Sequence, residues 1–130
     1  MKKVLRLSVF ALLIGSILLL ASCAPRSALS AYKKLAKEGY EVDFDFANKN
    51  ASKYDPTIQV TGVKTYTSGN VDRVYAAYYS NNEAAKLAYE MTKDQIEKTN
   101  KNATAQSDLT VKRQGKWVVY GTKTGVDDFL

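Results

Sequence analysis

Hydrophobic and polar residues recur along the chain with two different periods, and these periods predict its secondary structure. In residues 40–46 apolar and acidic side chains alternate strictly, which is typical of a strand with one buried face. After Ser80, which begins a Ser-x-x-Glu capping box, apolar residues return at helical spacing. The whole pattern predicts a helix at 28–37, strands at 40–46, 57–66 and 71–79, a helix at 82–101, strands at 109–113 and 116–122, and a short helix or cap at 121–130.

This order of elements predicts an α+β fold. Short connections between consecutive strands favour antiparallel pairing, so about five strands would form a mostly antiparallel sheet. We expect a two-layer sandwich, with the two main helices on one face of the sheet and a short C-terminal helix beside them. The apolar helix faces expected in the core are Ala28, Leu29, Tyr32, Leu35 and Ala36 in the first helix, and Ala84, Leu87, Ala88 and Met91 in the second, with Ala85 and Ile96 at the edge of that stripe.

The last two predicted strands flank Gln114-Gly115, which has the form of a two-residue hairpin loop. Pairing Arg113 with Lys116 then turns Trp117 outward, if the next residue along the strand faces the core. An exposed indole beside tyrosines and lysines is a candidate contact patch for a protein, a glycan or a peptidoglycan strand. The alternative is that residues 121–130 fold over the indole. The candidate contact patch consists of Trp117, Tyr78, Tyr79 and Lys112.

The first 22 residues have the composition of an export signal. Lys2, Lys3 and Arg6 form a positively charged start, and residues 7–21 form an apolar run of 15 residues. As a helix this run would extend about 22 Å, at about 1.5 Å per residue, which is shorter than a hydrocarbon core of about 30 Å. The pattern therefore favours a signal peptide over a transmembrane span.

The apolar run ends in Leu20-Ala21-Ser22-Cys23, and Cys23 is the only cysteine in the chain. This stretch resembles the lipobox of bacterial lipoproteins. The resemblance implies that the Cys23 sulfur takes a diacylglycerol, that residues 1–22 are then removed, and that the freed amino group takes an acyl chain. It also implies a lipid anchor on the extracytoplasmic side of the cell membrane, with membrane lipid as the partner of Cys23. The alternative for a lone cysteine in an exported protein is a free or intermolecularly paired thiol.

Residues 23–27 would form a tether and residues 28–130 a single small globular domain. The tether beyond the cysteine extends at most about 14 Å, so we expect the domain to lie close to the bilayer. The domain is similar to small uncharacterised lipoproteins of low-GC Gram-positive bacteria, in which a strand ends in a stretch like Gly121-Thr122-Lys123. That resemblance implies no activity.

The first helix carries a basic flank made of Lys33, Lys34 and Lys37. Each such charge near an anionic lipid surface contributes about 1 kcal/mol, so this flank is a candidate membrane-facing surface. The alternative is an ordinary solvated helix face.

Charge and composition exclude several functions. The net charge of +6 falls to +3 when residues 1–22 are removed, and no basic block remains, so we expect no nucleic-acid partner. The chain has no histidine, which excludes Ser-His-Asp and Cys-His catalysis and zinc sites that use histidine. We therefore expect neither catalytic residues nor a cofactor.

Three carboxylates, Glu41, Asp43 and Asp45, share one face of the first strand at intervals of about 7 Å. Such a row could bind calcium or supply the carboxylate pair of a glycosidase. The alternative is the solvated face of an antiparallel sheet. These residues are the weak metal candidates of the chain.

Together these features favour a lipid-anchored envelope protein with a non-catalytic binding domain at the membrane surface. Its partner would be another envelope protein or a wall component. The alternatives are a lipoprotein that binds a small ligand or cation through the acidic strand face and, third, a carboxylate-based hydrolase.

Overall fold

The computed structural model of the protein describes residues 25–102 and 109–130, and the fold is that of these ranges. Each predicted element is present, with bounds within two residues of those expected. Within the same ranges, no helix combines the length and the apolar character needed to cross a membrane. The elements are α1 (Ala28–Lys37), β1 (Glu41–Phe46), β2 (Ile58–Thr65), β3 (Val71–Tyr78), α2 (Asn82–Asn102), β4 (Leu109–Gln114), β5 (Trp117–Thr122) and α3 (Lys123–Phe129).

The five strands form one antiparallel sheet in the order β1-β2-β3-β5-β4, which confirms the predicted α+β class. Helix ends are fixed by local hydrogen bonds. The Ser27 hydroxyl accepts from the Ser30 amide at the start of α1. At the start of α2 the Asn81 side-chain oxygen accepts from the Ala84 amide at 2.8 Å, so Asn81 takes the capping role expected for Ser80.

Two clusters of buried side chains lie on opposite faces of the sheet. Val119 packs with Leu35 of α1 and Phe129 of α3, whereas Val118 packs with Ala85 of α2. Neighbouring residues of a strand point to opposite faces, so these contacts put α2 across the sheet from α1 and α3. The expectation that both main helices share one face is therefore wrong. β5 carries apolar side chains on both faces, so both faces must be covered to keep these side chains away from solvent.

The buried face of α1 is rotated from the predicted one. Ala31 and Leu35 are fully buried, whereas Leu29 is 61% and Tyr32 45% exposed. The small Ala31 allows the helix to approach the sheet closely, and this turns the larger side chains outward. The result is an unexpected exposed stripe along α1.

The buried face of α2 also differs from the predicted stripe. Ala84, Ala85 and Ile96 are buried, whereas Leu87 and Met91 remain exposed. Close packing against the sheet again favours alanine. Hydrophobicity alone had predicted that Leu87 and Met91 would be buried.

The last hairpin differs from the prediction by one residue. Gly115 and Lys116 form the loop, and Gln114 pairs with Trp117 and Arg113 with Val118. Gly115 has φ of 60°, at the first of the two loop positions, where a type II′ turn requires glycine. The prediction had placed this glycine second.

Polar contacts join α1, and Tyr40 just before β1, to α3 and the residue that follows it. The Tyr40 hydroxyl donates to Asp128 Oδ2 at 2.8 Å, and Lys34 Nζ donates to the main-chain oxygen of Leu130 at 2.8 Å. Burial raises the pKa of the Tyr40 phenol, and the hydrogen bond to Asp128 raises it further. Burial lowers the pKa of Lys34. These bonds fix the C-terminal helix against the first one.

Candidate functional site

The predicted contact patch is not an exposed surface. Trp117 is only 3% exposed, and its ring lies 5.0 Å from that of Phe129, edge to face. Tyr79 is buried and Tyr78 is half-buried against Trp117, with ring centroids 5.1 Å apart. Lys112 is exposed and pairs with Asp127 of α3. The alternative, in which the terminal segment covers Trp117, is therefore confirmed.

The predicted basic flank is reduced to two residues. Lys33 and Lys37 are exposed, as expected, but Lys34 is half-buried and bound to the C-terminal main chain. Only Lys33 and Lys37 can therefore face a partner or a lipid surface.

The acidic row is an exposed edge and not a converging cluster. Glu41, Asp43 and Asp45 are all exposed on β1, the first strand of the sheet order. Among residues 25–102 and 109–130, no group of three or more histidine, cysteine or acidic residues could hold a metal ion. The row therefore lacks the convergent oxygens that a calcium site needs.

Cys23 falls outside the described residues, but the chain just after it is fixed. Pro25 is buried, and its main-chain oxygen accepts a hydrogen bond from the indole N–H of Trp117. From the Cα of Cys23 to that of Pro25 the chain reaches at most about 7 Å. Pro25, which the prediction placed in the tether of residues 23–27, therefore belongs to the folded domain.

A concave surface that the sequence did not reveal lies on the face of the sheet that carries α2. This helix packs against β4 and β5, and a cavity of about 300 Å³ opens beside it. We call this surface the tyrosine groove. It is lined mainly by Gln59, Thr61, Tyr75, Tyr79, Thr92 and Tyr120.

The floor of the tyrosine groove is a single row across the sheet. Asp43 pairs with Thr61, Thr61 with Tyr75, and Tyr75 with Tyr120. The rings of Tyr75 and Tyr120 are stacked, with centroids 5.0 Å apart and planes 18° apart. Tyr120 is 37% exposed, so part of the stacked pair forms an aromatic surface open to solvent.

The groove is polar but uncharged. Burial raises the pKa of Tyr120, and the neighbouring Tyr75 adds to the shift; burial likewise raises the pKa of Tyr79. Both phenols therefore stay protonated at neutral pH, where they can stack and form hydrogen bonds. None of the lining residues carries a charge, and Asp43 and Asp45 lie at the β1 edge of the same face. This lining suits binding by contact and hydrogen bonding.

The Tyr75–Tyr120 pair was missed because its residues are 45 positions apart in the sequence. Alternation already put Tyr75 and Tyr79 on one face of β3. The sequence pattern did not show that β3 and β5 are neighbours in the sheet, because β4 lies between them along the chain.

Searches of protein families, of curated proteins and of solved structures found no match to the chain. The function is therefore inferred from the residues of the groove and from the N-terminal sequence.

Proposed function

We propose that the protein is a lipid-anchored binding domain of the bacterial cell envelope, held through Cys23 on the extracytoplasmic side of the membrane. Its tyrosine groove binds a glycan chain of the wall. The observation that carries this proposal is the stacked Tyr75–Tyr120 pair on the floor of an uncharged, concave surface.

The chemistry of the groove fits a sugar chain. An aromatic ring offers an apolar face to the C–H groups of a sugar ring, while phenol hydroxyls reach its polar groups. Gln59 and Thr61 add amide and hydroxyl groups that both donate and accept hydrogen bonds. Asp43 and Asp45, at the edge of the same face, accept hydrogen bonds from hydroxyls and repel phosphate-rich polymers. The groove therefore favours an uncharged glycan.

Replacing the central aromatic residue tests the groove. We expect Tyr120→Ala to weaken binding to purified wall glycan, cleared of peptides and anionic polymers, by about 2 kcal/mol, or roughly thirty-fold in Kd, because it removes an anchor ring. Tyr120→Phe keeps the ring and should lose much less. Co-sedimentation with the glycan measures the affinity.

Tyr54→Ala is the matched control, because Tyr54 is 43% exposed and lies outside the groove. Equal affinity of the Tyr120→Ala variant and the wild type would contradict the glycan assignment. Failure of the wild type to bind glycan, with an envelope protein cross-linked to the groove in cells, would assign the groove to a protein partner instead.

The lipid anchor has a separate test. Cys23→Ala should abolish labelling by radioactive fatty acid and leave a precursor that retains residues 1–22, because the thiol is the acceptor of the diacylglycerol. Ser22→Ala keeps a small residue beside Cys23 and should be labelled like the wild type. Gel mobility and autoradiography of membrane fractions report both outcomes. Continued labelling of the Cys23→Ala chain would show that the lipid is attached elsewhere.

A further inference from the structure

We infer that the domain rests on the lipid surface through one defined face, which also turns the tyrosine groove away from the membrane. This inference depends on the lipid anchor proposed above but concerns a different surface. We call it the membrane face. It is formed by Leu29, Tyr32 and Lys33 of α1 and by Phe44 and Phe46 of β1.

Most of the large apolar side chains of the membrane face are exposed, and the half-buried Phe44 links Tyr32 to Phe46. Leu29 is 61% and Phe46 63% exposed, and Tyr32 is nearly half exposed. The rings of Tyr32 and Phe44 lie 6.0 Å apart, and those of Phe44 and Phe46 lie 6.5 Å apart. Contiguous exposed patches of this kind mark a protein or membrane contact, whereas scattered apolar residues do not.

The anchor leaves the domain at the same end of the sheet as this patch. Phe46 pairs with Ile58, Ile58 with Tyr78, and Tyr78 with Trp117, so Phe46 and Trp117 belong to one cross-strand row. Three strand spacings separate them, or about 14 Å. The Trp117 indole holds Pro25, two residues beyond Cys23. A lipid on Cys23 therefore brings this end of the domain to the headgroups.

The chemistry of the face favours lipid over a second copy of the chain. Tyrosine, phenylalanine and leucine suit the boundary between headgroups and acyl chains, and lysine beside them attracts anionic lipid. Lys33, next to Tyr32, supplies that charge and is exposed. The acidic residues of β1 point to the opposite face because the strand alternates, so Asp43 and Asp45 stay with the groove. The two faces of β1 therefore belong to different surfaces, the membrane face on one side and the edge of the tyrosine groove on the other.

Fluorescence quenching in vesicles tests the inference on the acylated protein. The chain has a single tryptophan, the buried Trp117, which gives a constant background. We would reconstitute Phe46→Trp and Met91→Trp variants in phosphatidylglycerol–phosphatidylcholine vesicles, with and without bromine on the acyl chains. Met91 is the matched control because it is 66% exposed on α2, across the sheet. Tyr32→Trp provides a second position on the membrane face.

We expect brominated lipid to remove most of the added emission of the Phe46→Trp and Tyr32→Trp variants and to leave that of Met91→Trp unchanged. An acylated, vesicle-bound protein with no selective quenching would overturn the membrane face and leave the anchor intact. Loss of acylation itself would overturn both proposals. A blue shift without quenching that grows with the protein-to-lipid ratio would assign the face to a second copy of the chain and overturn the lipid assignment.

Discussion

Phe129→Ala is expected to lower the free energy of unfolding by about 3–5 kcal/mol, because it leaves a cavity in the centre of the core. Phe129 is fully buried, belongs to the cluster that joins α1, α3 and the sheet, and packs edge to face on Trp117. A domain of this size has about 5–15 kcal/mol of stability, so the variant should lose a large share of it. Urea unfolding followed by Trp117 fluorescence measures the loss.

The control for this prediction is the same substitution at an exposed phenylalanine. Phe46→Ala removes an equal side chain from a position that is 63% exposed, and we expect a change within about 0.5 kcal/mol. Similar losses for the two variants would mean that Phe129 does not hold the core together. In that case, packing against Phe129 would not explain why Trp117 is buried.

Gly121→Ala is expected to destabilise the domain by roughly 2–6 kcal/mol, since it combines backbone strain with a collision. Gly121 has φ of 145°, and a Cβ there would collide with the main-chain oxygen of Arg73 and lie 2.9 Å from the carbonyl carbon. Both partners are main-chain atoms, so neither can move aside without disturbing the pairing of β3 with β5. The midpoint of urea unfolding reports the effect.

The Gly69→Ala variant distinguishes the effect of backbone strain from the effect of the collision. Gly69 also has positive φ, at 91°, but nothing lies within 4 Å of the Cβ it lacks. This variant should therefore show the conformational strain alone, about 1–2 kcal/mol. If Gly121→Ala costs no more than Gly69→Ala, the close approach of Arg73 is not what requires glycine.

The elements of this fold could be predicted because their signals are local. Alternation in 40–46 and the helical spacing after Ser80 depend on neighbouring residues only, and they identified β1 and α2 within one residue. The faces of the helices were not predicted, because hydrophobicity ranks Leu29 above Ala31 while close packing on a sheet prefers the smaller residue. In α1, hydrophobicity favours burial of Leu29 and close packing favours burial of Ala31, and Ala31 is the residue that is buried.

The candidate site was harder to predict, because it depends on which strands are neighbours. Tyr75 and Tyr120 meet only when β3 pairs with β5, and no local pattern states that pairing. The fate of Trp117 depended likewise on a contact with Phe129 of the terminal helix. The sequence could therefore offer both an exposed and a covered indole, and only the fold distinguishes them.

The hydrogen bond between Pro25 and the Trp117 indole also imposes an order on biogenesis. The two residues are 92 positions apart, and a chain is synthesised from its N-terminus. The segment beside Cys23 therefore emerges long before the indole that fixes it exists. The bond between this segment and the core can form only after β5 has been made. Until then the N-terminal segment is free of the domain, and it becomes part of the core only when the rest of the sheet is complete.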